Sequence, residues 1–157
     1  MKLTRAVTLF LVSTLLHAAC TPPAEKTEIN DEQTTDETPD EVKVQQALYD
    51  DIMLVHDEMM PKMEDLMRIR GEVQEIKDSL KAAGIDEDID VLVSTIQMVE
   101  NADESMMNWM RNFEPVSSEE SHENIMAYYT DQKNKMDSVK LIMEEAIGKG
   151  QAILSDY

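Results

Sequence analysis

Apolar residues recur every three or four positions along most of the chain after residue 42. From 42 to 83 this series predicts one amphipathic helix with a single interruption, because Pro61 lacks the N–H that would bond the carbonyl of Asp57. Gly84 predicts the end of this helix, and the acids from Asp86 to Asp88 predict the cap of a second helix. The predicted core positions of the first helix are Leu48, Ile52, Val55, Met59, Met63, Leu66, Ile69, Val73, Ile76 and Leu80.

The second helix is predicted from about Asp88 to Phe113, and Pro115 ends it. Ser117 and Glu120 are spaced as a capping box and predict the start of a third helix, whose end Gly148 and Gly150 would loosen. The predicted core positions of these two helices are Ile89, Leu92, Ile96, Val99, Ala102, Met106, Trp109 or Met110, and Phe113, then Ile125, Tyr129, Gln132, Met136, Val139, Met143, Ala146 and Ile153.

Short turns between long helices favour antiparallel neighbours, and no sustained alternation with a period of two suggests a strand. We therefore expect an all-α protein whose residues 42–157 form an up-down-up antiparallel three-helix bundle.

The first forty residues have a different pattern. Lys2 and Arg5 precede an apolar run of signal-peptide length, and small residues lead to Cys20, which is typical of a lipoprotein signal. His17 stands where an aliphatic residue is usual, but ordinary secretion would need small residues at sites that the chain does not offer. We expect 1–19 to be a lipoprotein signal peptide and 20–41 a lipidated Cys followed by a disordered acidic linker.

The charge balance limits the partners. The chain has 14 Lys and Arg against 33 Asp and Glu, a net charge of -19. Such a surface repels a polyanion, so we expect no nucleic acid, and it favours a protein partner with a basic surface. No phosphate-binding glycine loop or nucleophile elbow occurs, so we expect no enzyme.

Methionine is unusually frequent, with 13 residues. Pairing around a turn near Ile85 places Met60 and Met63 level with Met107 and Met110, and pairing around Pro115 places His122 level with Met110, and Met126 level with Met106. Three interpretations stay open: core packing, a groove for a peptide or lipid, or a site for Cu(I) or haem. The candidate metal ligands are His56, Met60, Met63, Met107, Met110, His122 and Met126.

Three segments carry a resemblance to a known family: the run from Val55 to Met63, the run from Ala102 to Met110 with Phe113, and Tyr128 to Lys135 leading to Ile153 and Leu154. Over residues 50–154 the chain resembles small uncharacterised Bacteroidota lipoproteins often labelled "viral A-type inclusion protein". The resemblance implies a helical fold in the envelope of a Gram-negative bacterium. It implies no activity.

Together these features predict a non-catalytic helical module for binding or structure, held on a membrane by a lipid such as palmitate at Cys20. The predicted location is the cell envelope, at the outer membrane in either leaflet. The alternative function is binding of copper or haem at the end of the bundle rich in Met and His.

Overall fold

The structure, a computed structural model, describes residues 38–157, which form four α-helices. They are α1 (Pro39–Met59), α2 (Lys62–Ala82), α3 (Ile89–Asn112) and α4 (His122–Leu154), and the described residues contain no strand. The all-α prediction is confirmed for this part of the chain. The predicted signal peptide, the lipidated Cys20 and the linker as far as residue 37 lie outside the described residues.

The first helix begins earlier than the pattern of apolar residues indicates. The Thr38 backbone N–H donates to the Glu41 carboxylate at 2.7 Å, the Glu41 N–H donates to the Thr38 hydroxyl at 3.3 Å, and Pro39 occupies the first turn. This capping box holds the first turn although the turn lacks apolar residues. Residues 39–41, predicted as linker, are therefore helical.

The predicted interruption at Pro61 is present and short. Met60 and Pro61 both keep right-handed helical dihedral angles, the Met60 N–H donates to the His56 carbonyl at 2.9 Å, and the Met63 N–H donates to the Met60 carbonyl at 3.2 Å. Because the chain stays near helical geometry through the break, residues one turn apart on either side of it remain on one face.

The turn between α2 and α3 differs from the prediction in one respect. Gly84 has φ of +70° and ends α2, with the Ile85 N–H donating to the Leu80 carbonyl at 2.9 Å in a Schellman arrangement. Asp88, predicted to cap α3, instead has φ of +66°, and its side chain makes no capping bond. The Asp88 carboxylate accepts a hydrogen bond from the Tyr157 hydroxyl at 3.1 Å, so it ties the end of the chain to this turn.

The start of α4 was also predicted wrongly. The cap is Ser121, whose hydroxyl accepts from the Asn124 N–H at 3.3 Å, whereas the Ser117 hydroxyl accepts from the Glu119 N–H at 3.2 Å within a local turn. Both serines can bond nearby N–H groups, and the sequence does not say which of the two arrangements precedes the helix. The helix thus begins at His122, several residues later than expected.

The core lies where the helices meet: α1 packs against α4, α2 packs against α3 and α4, and α3 packs against α4. Every buried apolar residue of the described part belongs to the predicted core positions. Gln45, Thr95 and Gly150 are also buried, and the pattern of apolar residues predicts none of them as core positions.

Gly150 does not loosen the end of α4, which continues to Leu154. A Cβ at this position would lie 2.3 Å from Cγ2 of the fully buried Ile69. The glycine therefore allows α2 and α4 to approach closely, which is a packing role that no helix-ending signal requires.

Candidate functional site

An ion pair between Arg70 and Glu100, whose N and O atoms are 3.6 Å apart, marks the register between α2 and α3. Met63 lies seven residues before Arg70, and Met107 lies seven residues after Glu100. Seven residues are close to two helical turns, so each methionine lies on the same helix face as the charged residue. Met63 and Met107 are therefore neighbours across the outer seam between the two helices.

The methionines of this seam are not the methionines of the core. The fully buried set is Met59, Met106, Met136 and Met143. Met60 and Met107 are each 38% exposed and Met67 is 57% exposed, while Met63 and Met110 are half-buried and pack against the core. The core-packing interpretation therefore holds for the fully buried set and in part for Met63 and Met110, whereas Met60, Met67 and Met107 are exposed.

A groove of about 410 Å³ lies between α2 and α3. Leu66 and Met67 contribute apolar surface, and Glu100, Asp103 and Glu104 contribute carboxylates. Glu100 pairs with Arg70 and Glu104 pairs with Arg111, whereas Asp103 has neither a hydrogen bond nor an ion pair within the described structure. The groove therefore combines apolar side chains, including a flexible methionine, with carboxylates.

His56 lies near the end of α1 beside this seam. Its Nδ1 is 2.9 Å from a carboxylate oxygen of Asp57, its side chain is 17% exposed, and its ring centroid is 5.7 Å from that of Trp109. If Nδ1 carries the proton and donates to Asp57, Nε2 has a free lone pair. This is the tautomer in which an imidazole can bind a metal ion.

His122 is held at a different level of the molecule. Its Nδ1 is 3.0 Å from Nε2 of Gln45, which lies eleven residues before His56 on α1. Eleven residues of helix span about 16 Å, so the two histidines belong to separate places.

Met126 lies one turn after His122 on α4, and the late start of that helix changes the α3–α4 register from the predicted one. The Glu114 N–H donates to the Tyr128 hydroxyl at 3.0 Å, and Trp109 and Gln132 line one groove. Met126 is therefore level with the end of α3 and not with Met106, as had been predicted. The seven candidate ligands thus divide: five lie along the α2–α3 seam, and His122 and Met126 lie apart.

Trp109 connects the seam with the interior. It is 6% exposed and stacks on Phe113 with ring centroids 4.7 Å apart. Among the described residues, its Nε1 is the buried side-chain nitrogen that lacks a hydrogen-bond partner. Trp109 also lines a second groove of about 730 Å³ between α3 and α4, which amide and hydroxyl side chains and Lys135 border without a carboxylate.

An ion pair between Glu58 and Lys140, at 2.7 Å, joins α1 and α4 on the outer surface. Its hydrogen bond lowers the pKa of Glu58 and raises the pKa of Lys140. Likewise, the hydrogen bonds from Thr38 lower the pKa of Glu41. Glu58, Lys140 and Glu41 are solvent-accessible groups at helix contacts and a helix cap, and they do not line the groove.

Within residues 38–157, no cluster of three or more His, Cys, Asp or Glu side chains has the geometry to hold a metal ion. None of the helices there is both long and apolar enough to cross a bilayer.

Comparison with protein-family models, with curated proteins and with solved structures found no match to this chain. The role of the α2–α3 seam therefore rests on its own residues. Sequence reasoning named its methionines and His56 but missed Arg70, Glu100 and Asp103. The sequence signal for those three residues is that each lies seven positions from a methionine of the seam. This spacing identifies the shared helix face only when the Arg70–Glu100 ion pair is known.

Proposed function

We propose that this protein is a lipid-anchored module of the bacterial envelope, without catalytic activity, that binds a basic protein segment in the groove between α2 and α3. The observation that carries the binding role is the exposed Met67 in a groove bordered by Glu100, Asp103 and Glu104. Methionine adapts its shape to an apolar partner surface, and the carboxylates attract and orient a cationic one.

The anchor is proposed from the sequence, since the signal pattern ends at the sole cysteine, Cys20. Metabolic labelling with a palmitate analogue tests it. We expect label in the wild-type chain and none in Cys20→Ala. Equal labelling of the two would contradict the anchor, and labelling of neither would contradict it as well if a known lipoprotein in the same cells is labelled.

We also propose that the helices run up-down-up, with the α1–α2 rod parallel to α4 and α3 antiparallel to both. The contacts of Gln45 with His122 and of Glu58 with Lys140 support the parallel pair, because both residue numbers increase together. The contacts of Asp88 with Tyr157 and of Glu114 with Tyr128 support the antiparallel pair, because they change in opposite directions. This arrangement leaves the α2–α3 seam on the outside.

The partner is proposed to present an amphipathic helix with apolar and basic faces, since the groove offers an apolar surface and carboxylates along two neighbouring helices. A fluorescein-labelled helix of leucine and lysine is the probe, and a matched helix of leucine and glutamate is its control. We expect the full chain to bind the first and not the second, with affinity that falls as salt rises, because exposed charges are screened.

A matched pair of charge variants locates the site. The triple variant Glu100→Gln, Asp103→Asn, Glu104→Gln should lose about tenfold in affinity, roughly 1.4 kcal/mol. A control on α4, Glu123→Gln, Glu144→Gln, Glu145→Gln, changes the net charge equally and should bind as wild type. Equal losses in both variants would show attraction by net charge alone and would overturn the groove.

In cells, a photo-crosslinking residue at Met67 tests the same site. Leu141, which is 67% exposed on α4, is the control position. We expect one discrete adduct at Met67 that the groove triple variant removes. An adduct pattern that is identical at the two positions would contradict a docking site in this groove.

A further inference from the structure

Four methionines at one end of the α2–α3 seam are not fully buried, although two of them, Met63 and Met110, pack against the core. Met60, Met63, Met107 and Met110 are exposed or half-buried, and four other methionines fill the interior. We call these four residues the sulfur cluster. The Arg70–Glu100 ion pair places Met63 opposite Met107, and Met60 and Met110 each lie about one turn further toward α1.

His56 continues this cluster along the rod. The hydrogen bonds from the Met60 N–H to the His56 carbonyl and from the Met63 N–H to the Met60 carbonyl place the three side chains on successive turns of one face. The contact between the His56 and Trp109 rings brings the imidazole against α3, in the helical turn that also carries Met110. One imidazole and four thioethers thus lie within about two helical turns of one another, on α1, the break after it, α2 and α3.

The chemistry of this donor set is selective. Thioether sulfur is a soft, neutral ligand that suits Cu(I), and imidazole nitrogen complements it, whereas Zn(II) and Ca(II) prefer thiolate, imidazole or oxygen ligands. The Asp57 carboxylate lies 2.9 Å from His56 Nδ1. In metal-binding histidines, a carboxylate in this position fixes the orientation of the ring. Cu(I) carries one positive charge, which the acidic surface of the chain accommodates.

We propose that His56 and the sulfur cluster bind one Cu(I) ion, with Nε2 of His56 and thioethers from both sides of the α2–α3 seam as ligands, and with Asp57 as the residue that positions the imidazole. His122 and Met126 are not part of this site. The proposal is independent of the peptide groove, since it uses neither Asp103 nor Glu104 nor Met67.

The single tryptophan of the chain provides the readout, because Trp109 lies against His56. The experiment uses the full chain with Cys20→Ala, so that its only thiol cannot bind the metal. Cu(I) is added without oxygen in the presence of ascorbate and a chromophoric Cu(I) chelator. We expect one equivalent to be withdrawn from the chelator and Trp109 fluorescence to be quenched, while Zn(II) does neither.

Matched variants separate a built site from scattered thioethers. Met63→Leu with Met110→Leu keeps apolar volume and should weaken Cu(I) binding by at least about tenfold with the helix content unchanged. Met67→Leu with Met126→Leu removes the same number of sulfur atoms and should leave both affinity and quenching unchanged. His56→Gln should abolish the quenching, and Asp57→Asn should weaken binding by about tenfold.

Three results would overturn the site. They are no competition with the chelator, equal affinity in the wild type and the Met63→Leu, Met110→Leu variant, and equal losses in that variant and its control. The peptide-binding assay is run without copper, so a failure there and a failure here are distinguishable.

Discussion

Met106 and Met107 are adjacent and identical in chemistry, yet Met106 is fully buried and Met107 is substantially exposed. Met59 and Met60 form a second such pair on the other rod. Neighbours on a helix point about 100° apart, so one member of each pair faces the core and the other faces the seam. Composition alone would have assigned all four to one role, and the comparison shows that the helix face decides between packing and surface chemistry.

The largest expected difference is between Met106→Ala and Met107→Ala. Removing the buried side chain leaves a cavity and should lower the free energy of unfolding by about 2–5 kcal/mol, because apolar burial and contacts are lost together. Removing the exposed one should change it by less than about 0.5 kcal/mol. Urea denaturation measures both, and similar losses would mean that Met107 is also core.

Gly150 and Gly148 give the same comparison for glycine. Gly150→Ala would place a Cβ against the buried Ile69 and should destabilise the protein by about 1–3 kcal/mol through overpacking. Gly148 has nothing within 4 Å of a Cβ, so Gly148→Ala should stabilise α4 by about 0.5–1 kcal/mol. Thermal melts of the two variants should therefore shift in opposite directions, and shifts of one sign would refute the close approach of α2 and α4.

Ser121 and Ser117 test where α4 begins. Ser121→Ala removes the hydroxyl that accepts from Asn124 and should cost about 1 kcal/mol of unfolding free energy. Ser117→Ala affects only a bond within the turn and should cost clearly less. Chemical denaturation measures both losses. A larger loss for Ser117→Ala than for Ser121→Ala would indicate that α4 begins near Ser117.

The smallest expected effect is that of the exposed ion pair between Glu58 and Lys140. Because the pKa of Glu58 is lowered and that of Lys140 is raised, its contribution is complete between the ordinary values of 4.5 and 10.5. It should disappear as the pH falls through the folded pKa of Glu58 or rises through that of Lys140. A double-mutant cycle with Glu58→Gln and Lys140→Met measures this coupling.

High salt should weaken the same coupling, since both side chains are accessible to solvent. Glu75→Gln, on an exposed residue of α2 without a side-chain ion pair in the described structure, is the control and should show no coupling with Lys140→Met. A coupling that persists at pH 2 would contradict the electrostatic origin.

Periodicity placed every buried apolar residue of the described part among the predicted core positions, because a helix face repeats at a fixed angle. It also predicted core positions that are only half-buried, such as Leu80 and Ile89. It did not locate the starts of α1 and α4. A start depends on which of several polar side chains bonds the free N–H groups, and Thr38, Ser117 and Ser121 all qualify by type.

The candidate site was half predictable for the same reason. The methionines and His56 follow from spacing within one rod, whereas their neighbours across the seam depend on register. The turn near Ile85 predicted a register that agrees with the Arg70–Glu100 pair. The register predicted around Pro115 was wrong, because α4 begins later than expected. The predicted positions of His122 and Met126 relative to α3 were therefore wrong as well.

The hydrogen bond between Tyr157 and Asp88 has a consequence for the outline of the described part of the chain. Tyr157 lies at the α2–α3 turn, whereas Gln45, near the beginning of α1, contacts His122 at the first residue of α4. The two points are separated by the length of α4, whose 33 residues extend about 50 Å. Thr38 and Tyr157 thus lie near opposite ends of α4, so a probe fused after Tyr157 and a second one attached near Thr38 would be suited to a distance measurement by energy transfer.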